Sequence, residues 1–408
     1  MADEEGDGRW PIALKCEACG GSVDPEDKFC SSCGVAMNME VIAIKSYFYQ
    51  GYEYKVILAF LAKYHHIEMS LRTLKKRLKS MGLGRRCQQL DEQEVRTRMR
   101  QELDGAGSLQ GYRSMWHALR RDGILVTRDT VAKILREEDP EGCRERRKRR
   151  LKRRKYINPG PNHVWHIDGY DKLKPYGFAI HGCIDGFSRK ILWLFVDRSN
   201  NDPRIIGKAY LDAVKQFGGC PLKVRSDLGT ENGMVASAQA YFRNDLASHT
   251  YGSSPHNQRI EGWWSFLRRN NSSWWINLFK DAMEREIFTP GNEMQMECLW
   301  FCFSGVIQKN LDKIKSHWNS HYIRRSRYET MAGRPNELYF LPELHDGLNF
   351  IQEVSDQEIQ TVFQNLHVQP KESDYQDYFT YVADEASLMQ PKDWREAFEL
   401  YQTLLRLA

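Results

Sequence analysis

The 408-residue chain contains no apolar run of the ~18 residues needed to cross a bilayer. Its first ten residues, MADEEGDGRW, are acidic and lack the apolar stretch of a secretory signal. Together these absences predict an intracellular protein. The sequence also lacks the composition of a disordered chain, with 11 Trp, 19 Tyr, 18 Phe and a 41% apolar share. A disulfide framework is missing as well. Four of the ten cysteines form two C-x-x-C pairs near the start, and the other six (Cys87, Cys143, Cys183, Cys220, Cys298 and Cys302) are scattered. That usage predicts a metal site in a reducing compartment.

Charge is present but unevenly spread. Residues 341–408 hold 13 acidic and 4 basic side chains, a net of −9, so residues 1–340 carry the excess of basic charge within an overall +5. Such asymmetry points to a polyanionic partner for the basic part. The length allows two to four domains.

Cys16, Cys19, Cys30 and Cys33 make two knuckles ten residues apart, followed by Gly20 and Gly34. Four thiolates so spaced can enclose one Zn²⁺ tetrahedrally, and glycine lets the chain turn around sulfur. The pattern resembles a short zinc ribbon at 10–38; two redox or incidental pairs are the alternative. At 39–86, Val56, Ile57, Phe60 and Leu61 recur at helical spacing. Ser70 then caps an amphipathic helix with a basic outer face that includes Arg72, Lys75 and Lys76. This reads as a helix-turn-helix contacting DNA, with a small helical bundle bearing a solvated basic face as the plainer reading. A second helical unit at 92–140 includes Arg113, with Thr127 capping its last helix. Residues 144–155 are cationic at ten of twelve positions, Arg147, Arg150 and Arg154 among them. The 141–158 linker is therefore exposed and suits phosphate binding, nuclear targeting or both.

From Pro159 the pattern changes. Strands are expected at Val164–Asp168, Phe178–Asp185 and Lys190–Val196, a helix over 203–217, and a short strand ending at Asp227. A helix follows Glu231, a strand and turn begin at His249, and a helix covers Gln258–Arg269. That order is the order of a ribonuclease-H-like α/β fold. The expected architecture is multidomain: a mixed five-stranded sheet with flanking helices at 159–340, a helical insertion at 271–310, and an α-rich acidic region at 341–408.

Three segments carry a family resemblance: Trp165-His-Ile-Asp168-Gly, Arg225-Ser-Asp227-Leu-Gly229-Thr-Glu231-Asn232-Gly, and Ser254-Pro255-His-Asn257-Gln258-Arg-Ile260-Glu261. They resemble the signature blocks of the retroviral-integrase-like DDE transposase and integrase superfamily. Asp227 lies 59 positions after Asp168, with 33 residues between Asp227 and Glu261, spacings that suit the family. The resemblance implies a DDE-type polynucleotidyl transferase that cuts and joins DNA at element ends. It implies two Mg²⁺ or Mn²⁺ ions ~3.5–4 Å apart on Asp168, Asp227 and Glu261, with Asp168 bridging both. It also implies double-stranded DNA and further copies of the chain, a dimer or tetramer, as partners.

Other acids read differently. Asp185 suits a hairpin turn, Asp171 a strand end, and Glu231 a helix start where the dipole favours negative charge. Asn257 and Gln258 are expected to touch phosphate or a terminal base, with helix capping as the alternative; Arg268 would face DNA or solvent. The acidic C-terminal region reads as a protein-interaction or autoinhibitory module. The basic segment and ribbon suggest a nucleus, while a bacterial cytoplasm or nucleoid stays open. Two other functions remain: a host-domesticated DNA-binding protein that no longer recombines, and a nuclease of the same fold with no joining step.

Overall fold

The structure, a computed structural model, describes residues 14–16, 18–19, 21–23, 29–84, 92–145, 158–252, 257–325, 331–366 and 373–408. Along the chain a two-stranded antiparallel ribbon comes first, β1 (Leu14–Lys15) and β2 (Ser22–Val23). Seven helices follow: α1 (Met39–Tyr49), α2 (Tyr54–His65), α3 (Leu71–Ser80), α4 (Glu92–Leu103), α5 (Tyr112–Arg121), α6 (Arg128–Glu138) and α7 (Pro140–Glu145). The sheet region runs β3 (Val164–Tyr170), β4 (Ala179–Asp185), β5 (Ile191–Asp197), α8 (Pro203–Phe217), β6 (Gly219–Cys220), β7 (Lys223–Ser226), α9 (Gly233–Arg243) and β8 (His249–Tyr251). Then come α10 (Gln258–Leu267), α11 (Ser273–Glu284), α12 (Glu293–Ser320), α13 (Pro335–Phe340), β9 (Gln352–Glu353), α14 (Asp356–Leu366), α15 (Asp374–Glu385) and α16 (Trp394–Leu407).

The chain groups into two compact units. One holds residues 1–160, 216–218 and 320–349; the other holds 161–215, 219–319 and 350–408. In the first, the caps read from sequence are present. Ser70 accepts from the Thr73 N–H, and Thr127 accepts from the Thr130 N–H. Such caps each stabilise a helix start by about 1 kcal/mol. Tyr47 stacks on Phe60 with ring centroids 4.9 Å apart, and Leu74 and Leu78 turn the inner face of α3 inward. A separate apolar cluster ties α4, α5 and α6 through Val95, Met99, Met115, Leu119, Val131 and Ile134. Residues 320–349 group with this unit. Phe340 places its carbonyl under Lys63 Nζ (2.6 Å) and the Tyr64 hydroxyl (2.9 Å), and Arg334 donates to the Gly51 carbonyl.

The second unit holds a five-stranded mixed sheet in the order β5-β4-β3-β7-β8. β3, β4 and β5 pair antiparallel, whereas β7 and β8 run parallel to β3. β4 is buried along its whole length and the edge strand β5 over its first four residues, which accords with their apolar runs. The insertion expected at 271–310 is helical, and α12 extends through His317 to Ser320 as one helix of 28 residues.

The acidic C-terminal region belongs to this unit. Phe379, Ala383, Ala397, Leu400, Tyr401 and Leu404 from α15 and α16 join a single apolar core with Trp275, Phe279, Phe303 and Ile307 of α11 and α12. β9 pairs with β6. The periodicity of α16 was visible in sequence, but nothing local showed which surface its apolar stripe would cover.

Candidate active site

On β3 the side chains of His166, Asp168 and Tyr170 share one face by strand alternation. α10 covers that face: the Tyr170 ring lies 5.2 Å from the Trp264 ring, and Asn257 bonds to His166. Parallel pairing sets Val164 opposite Lys223 and His166 opposite Arg225. That offset is the same 59 positions that separate Asp168 from Asp227. Continued two residues past the end of β7, the same register would set Asp227 level with Asp168, and the Asp227 charge is among those that raise the Asp168 pKa.

Glu261 enters from α10, three residues before Trp264, so the two share a helix face. Trp264 Nε1 donates to Asp168 Oδ2 at 2.9 Å, and the Gly169 N–H donates to Oδ1 at 3.0 Å. The Asp168 carboxyl is therefore oriented by two donors. Burial raises its pKa to about 7, the negative charges of Asp227 and Glu261 push the same way, and the two hydrogen bonds pull back. The Asp227 carboxylate accepts from Asn232 Nδ2 (3.2 Å), which also donates to Glu231. Glu231 thus sits in the turn before α9, at the position read as helix-start charge, and its carboxylate folds back over Gly229, where a Cβ would overlap it.

A clustered anionic site of this kind suits a hard divalent cation with oxygen ligands. Among the described residues only the cysteine group closes to metal-ligand distance. The acids are linked by charge: those of Asp227 and Glu261 help raise the Asp168 pKa.

In that cysteine group the ligand atoms all lie within 4.8 Å of one another. Cys16 Sγ is 3.7 Å from Cys33 Sγ, and Cys19 Sγ is 3.6 Å from Cys30 Sγ. Four sulfurs at ~2.3 Å from one tetrahedral zinc would be ~3.8 Å apart, so the donor set and spacing fit Zn²⁺. Gly34, with φ of 71°, makes the turn after the second pair.

The remaining candidates divide. Arg72, Lys75 and Lys76 are exposed on α3, and the Lys75 ammonium lies 5.8 Å from the centre of the Tyr54 ring. Arg113 is exposed at the start of α5, over the Tyr112 ring. Arg268 is exposed where a short π-helical stretch follows α10, and Gln258 is half-buried at the first position of α10. Arg147, Arg150 and Arg154 lie outside the described residues, as does Cys87.

Asn257 differs from both readings made for it. It is 1% exposed, its Oδ1 meets His166 Nδ1 at 2.7 Å, its Nδ2 donates to the Ile167 carbonyl at 2.9 Å, and it makes no side-chain cap. In this arrangement its amide is committed to β3 rather than available to DNA. Asp185 forms the expected turn, accepting from the backbone of Asn162, Phe187 and Ser188 and from the Ser188 hydroxyl. Asp171 accepts from Asn200 at the strand end.

The sequence reading did not single out Trp264, His166 or Gly182. Gly182 pairs with Asp168 across β3 and β4, and a Cβ there would stand 2.9 Å from the Trp264 ring. The available signal was position: Trp264 one turn after Glu261, and His166 two residues before Asp168 on the same face.

No curated protein matches the chain. Among solved structures, the chain is similar to one in the cryo-EM structure of the simian T-cell lymphotropic virus intasome in complex with PP2A regulatory subunit B56 gamma. The identity is 16% and the TM-score 0.31, over 57% of this chain and 72% of that one. The family model described as integrase core domain matches residues 155–349. The strand order and this match agree, and across residues 155–349 the chain carries an integrase-like core of the ribonuclease-H fold.

Proposed function

We propose that the protein is a metal-dependent DNA recombinase that cuts strands at element ends and joins them to target DNA, with Asp168, Asp227 and Glu261 as the metal-holding acids. The observation that supports the reading is the β3–β7 register, His166 opposite Arg225, which if continued two residues aligns Asp227 with Asp168, together with the charges of Asp227 and Glu261 that raise the Asp168 pKa. Paired divalent ions, when bound, activate water or a 3′ hydroxyl for in-line attack on phosphorus and steady the departing oxygen. The protein's own part is orientation: Trp264 and the Gly169 amide fix the Asp168 carboxylate, and Asn232 fixes Asp227. Carboxylates mounted on strands and a packed helix need little rearrangement before reaction.

The same reading assigns Zn²⁺ to Cys16, Cys19, Cys30 and Cys33. It assigns duplex phosphate contacts to Arg72, Lys75, Lys76 and Arg113, and an assembly of two or more copies in the nucleus. The basic excess of residues 1–340 supports a nucleic-acid partner. The test is incubation with labelled terminal-repeat duplex and a target plasmid in Mg²⁺ or Mn²⁺. Strand-transfer products are expected from the wild type and from none of Asp168→Asn, Asp227→Asn and Glu261→Gln. A wild type that binds DNA yet never cuts it would favour the host-domesticated alternative, and cutting without joining would favour a nuclease.

A further inference from the structure

We infer that Asn257 is a positioning residue for the acid site, pinning the start of α10 to β3 so that Glu261 is held over Asp168. The inference rests on the metal-site reading of the three acids and gives Asn257 a role other than DNA contact.

Asn257, Glu261 and Trp264 recur at helical spacing, so they form one stripe along the face of α10 that meets β3. The two outer members are both tied to the sheet. Asn257 bonds to His166 and Ile167, the two residues before Asp168, and Trp264 bonds to Asp168 itself. Glu261 lies between these two anchors, and the Glu261 N–H makes its helical bond to the Asn257 carbonyl. A slide or rotation of α10 that carried Glu261 away would have to break at least one buried hydrogen bond, and a buried group left without its partner costs about 1–3 kcal/mol.

The chemistry of the clamp is one-way. The Ile167 carbonyl can only accept, so the atom facing it must be the Asn257 amide nitrogen. The atom facing His166 is then the amide oxygen, and His166 must donate from Nδ1. The imidazole is fully buried, so its tautomer is set by the partners packed against it. A carboxylate at 257 would point at the Ile167 carbonyl and add charge beside three acids, so asparagine fits here where aspartate does not. Gln258 and Arg268, which remain half-buried and exposed, are better placed to meet a substrate.

The test titrates Mn²⁺ into the full-length protein without DNA, counting bound ion by electron paramagnetic resonance. It compares wild type, Asn257→Ala, His166→Phe and, as the site control, Asp168→Asn. Outer partners of metal ligands typically change metal affinity by about 10–100-fold. Asn257→Ala is expected to weaken the Asp168-dependent Mn²⁺ site by that factor. Metal-free binding of duplex DNA, and its salt dependence, should stay within about twofold of wild type. His166→Phe, which fills the same space but cannot donate, should shift the site in the same direction and keeps the test open if Asn257→Ala does not fold. Unchanged Mn²⁺ affinity in both folded variants would overturn the inference, and so would weakened metal-free duplex binding in Asn257→Ala, which would make the residue a DNA contact. A wild type with no Mn²⁺ site sensitive to Asp168→Asn would overturn the reading of the acids, and the inference with it.

Discussion

Replacing Asp168 with Asn should make the metal-free protein more stable at pH 8. Its carboxyl is raised from 3.8 to about 7, by burial first and then by the charges of Asp227 and Glu261. A carboxyl whose folded pKa is raised binds its proton more tightly in the native state than in the unfolded chain. Stability from that group is therefore present below about pH 3.8 and is lost as pH climbs through about 7. At ~1.4 kcal/mol per pKa unit, the ionised form costs roughly 4 kcal/mol at pH 8. Asparagine removes that cost. It offers one acceptor oxygen where the carboxylate uses two, so either Trp264 Nε1 or the Gly169 N–H loses its partner, at about 1 kcal/mol. Solvent screening of a half-buried group lowers the remainder to about 2 kcal/mol, or about 4–8 °C in Tm for a unit of this size. The assay is a pair of thermal melts in EDTA from pH 4 to 9, followed by tryptophan fluorescence. The gap between variant and wild type should open as pH rises from about 4 to about 7 and then level off. Saturating Mg²⁺ should close or reverse it, since ligand at 100 times Kd stabilises by about 2.7 kcal/mol. A variant that melts at or below wild type at every pH in EDTA would refute the argument that burial and the neighbouring acids penalise ionised Asp168.

Other consequences can be checked with standard measurements. Combined replacement of Arg72, Lys75 and Lys76 by Ala should lower the slope of log K against log salt for duplex DNA by about 2–3, since each lost phosphate contact removes about 0.9; an unchanged slope would place DNA elsewhere. Elemental analysis should find one zinc per chain, lost in Cys30→Ser together with amide protection over residues 14–36; a zinc-free wild type that keeps that protection would contradict the ribbon assignment. Leu404→Ala in α16 should destabilise the sheet unit by about 2–5 kcal/mol, because Leu404 is fully buried in the core shared with α11 and α12. A Leu404→Ala variant that gained activity at unchanged stability would favour the autoinhibitory reading of the C-terminal region.

What the sequence could carry depended on how local each signal was. Ser70 and Thr127 announce helix starts because a cap involves residues three apart. The acids stood out because Asp168 lies late in a short apolar strand, Asp227 directly follows another, and Glu261 lies in the first turn of an amphipathic helix. The cysteine knuckles were legible for the same reason. Contacts set by tertiary packing were not. Asn257 looks like a polar residue at a helix start, and only the approach of α10 to β3 reveals that both ends of its amide meet buried partners. The stripe Ala397, Leu400, Tyr401 and Leu404 predicts a helix, yet the aromatic surface of α11 and α12 that receives it lies about a hundred residues away. Likewise the hydrogen bonds that tie Phe340 and Arg334 to Lys63, Tyr64 and Gly51 join residues nearly three hundred positions apart and leave no local signal.

The central claim is that Asp168, Asp227 and Glu261 form one metal-dependent site for DNA strand cutting and joining. The most direct measurement is strand transfer from a labelled duplex of the terminal repeat into plasmid, run in Mn²⁺ with wild type and the three single acid variants. The account predicts joined products from wild type alone, abolished by EDTA and absent in Asp168→Asn, Asp227→Asn and Glu261→Gln at equal DNA binding. Products that persist at wild-type rate in any one of the three folded variants would contradict it.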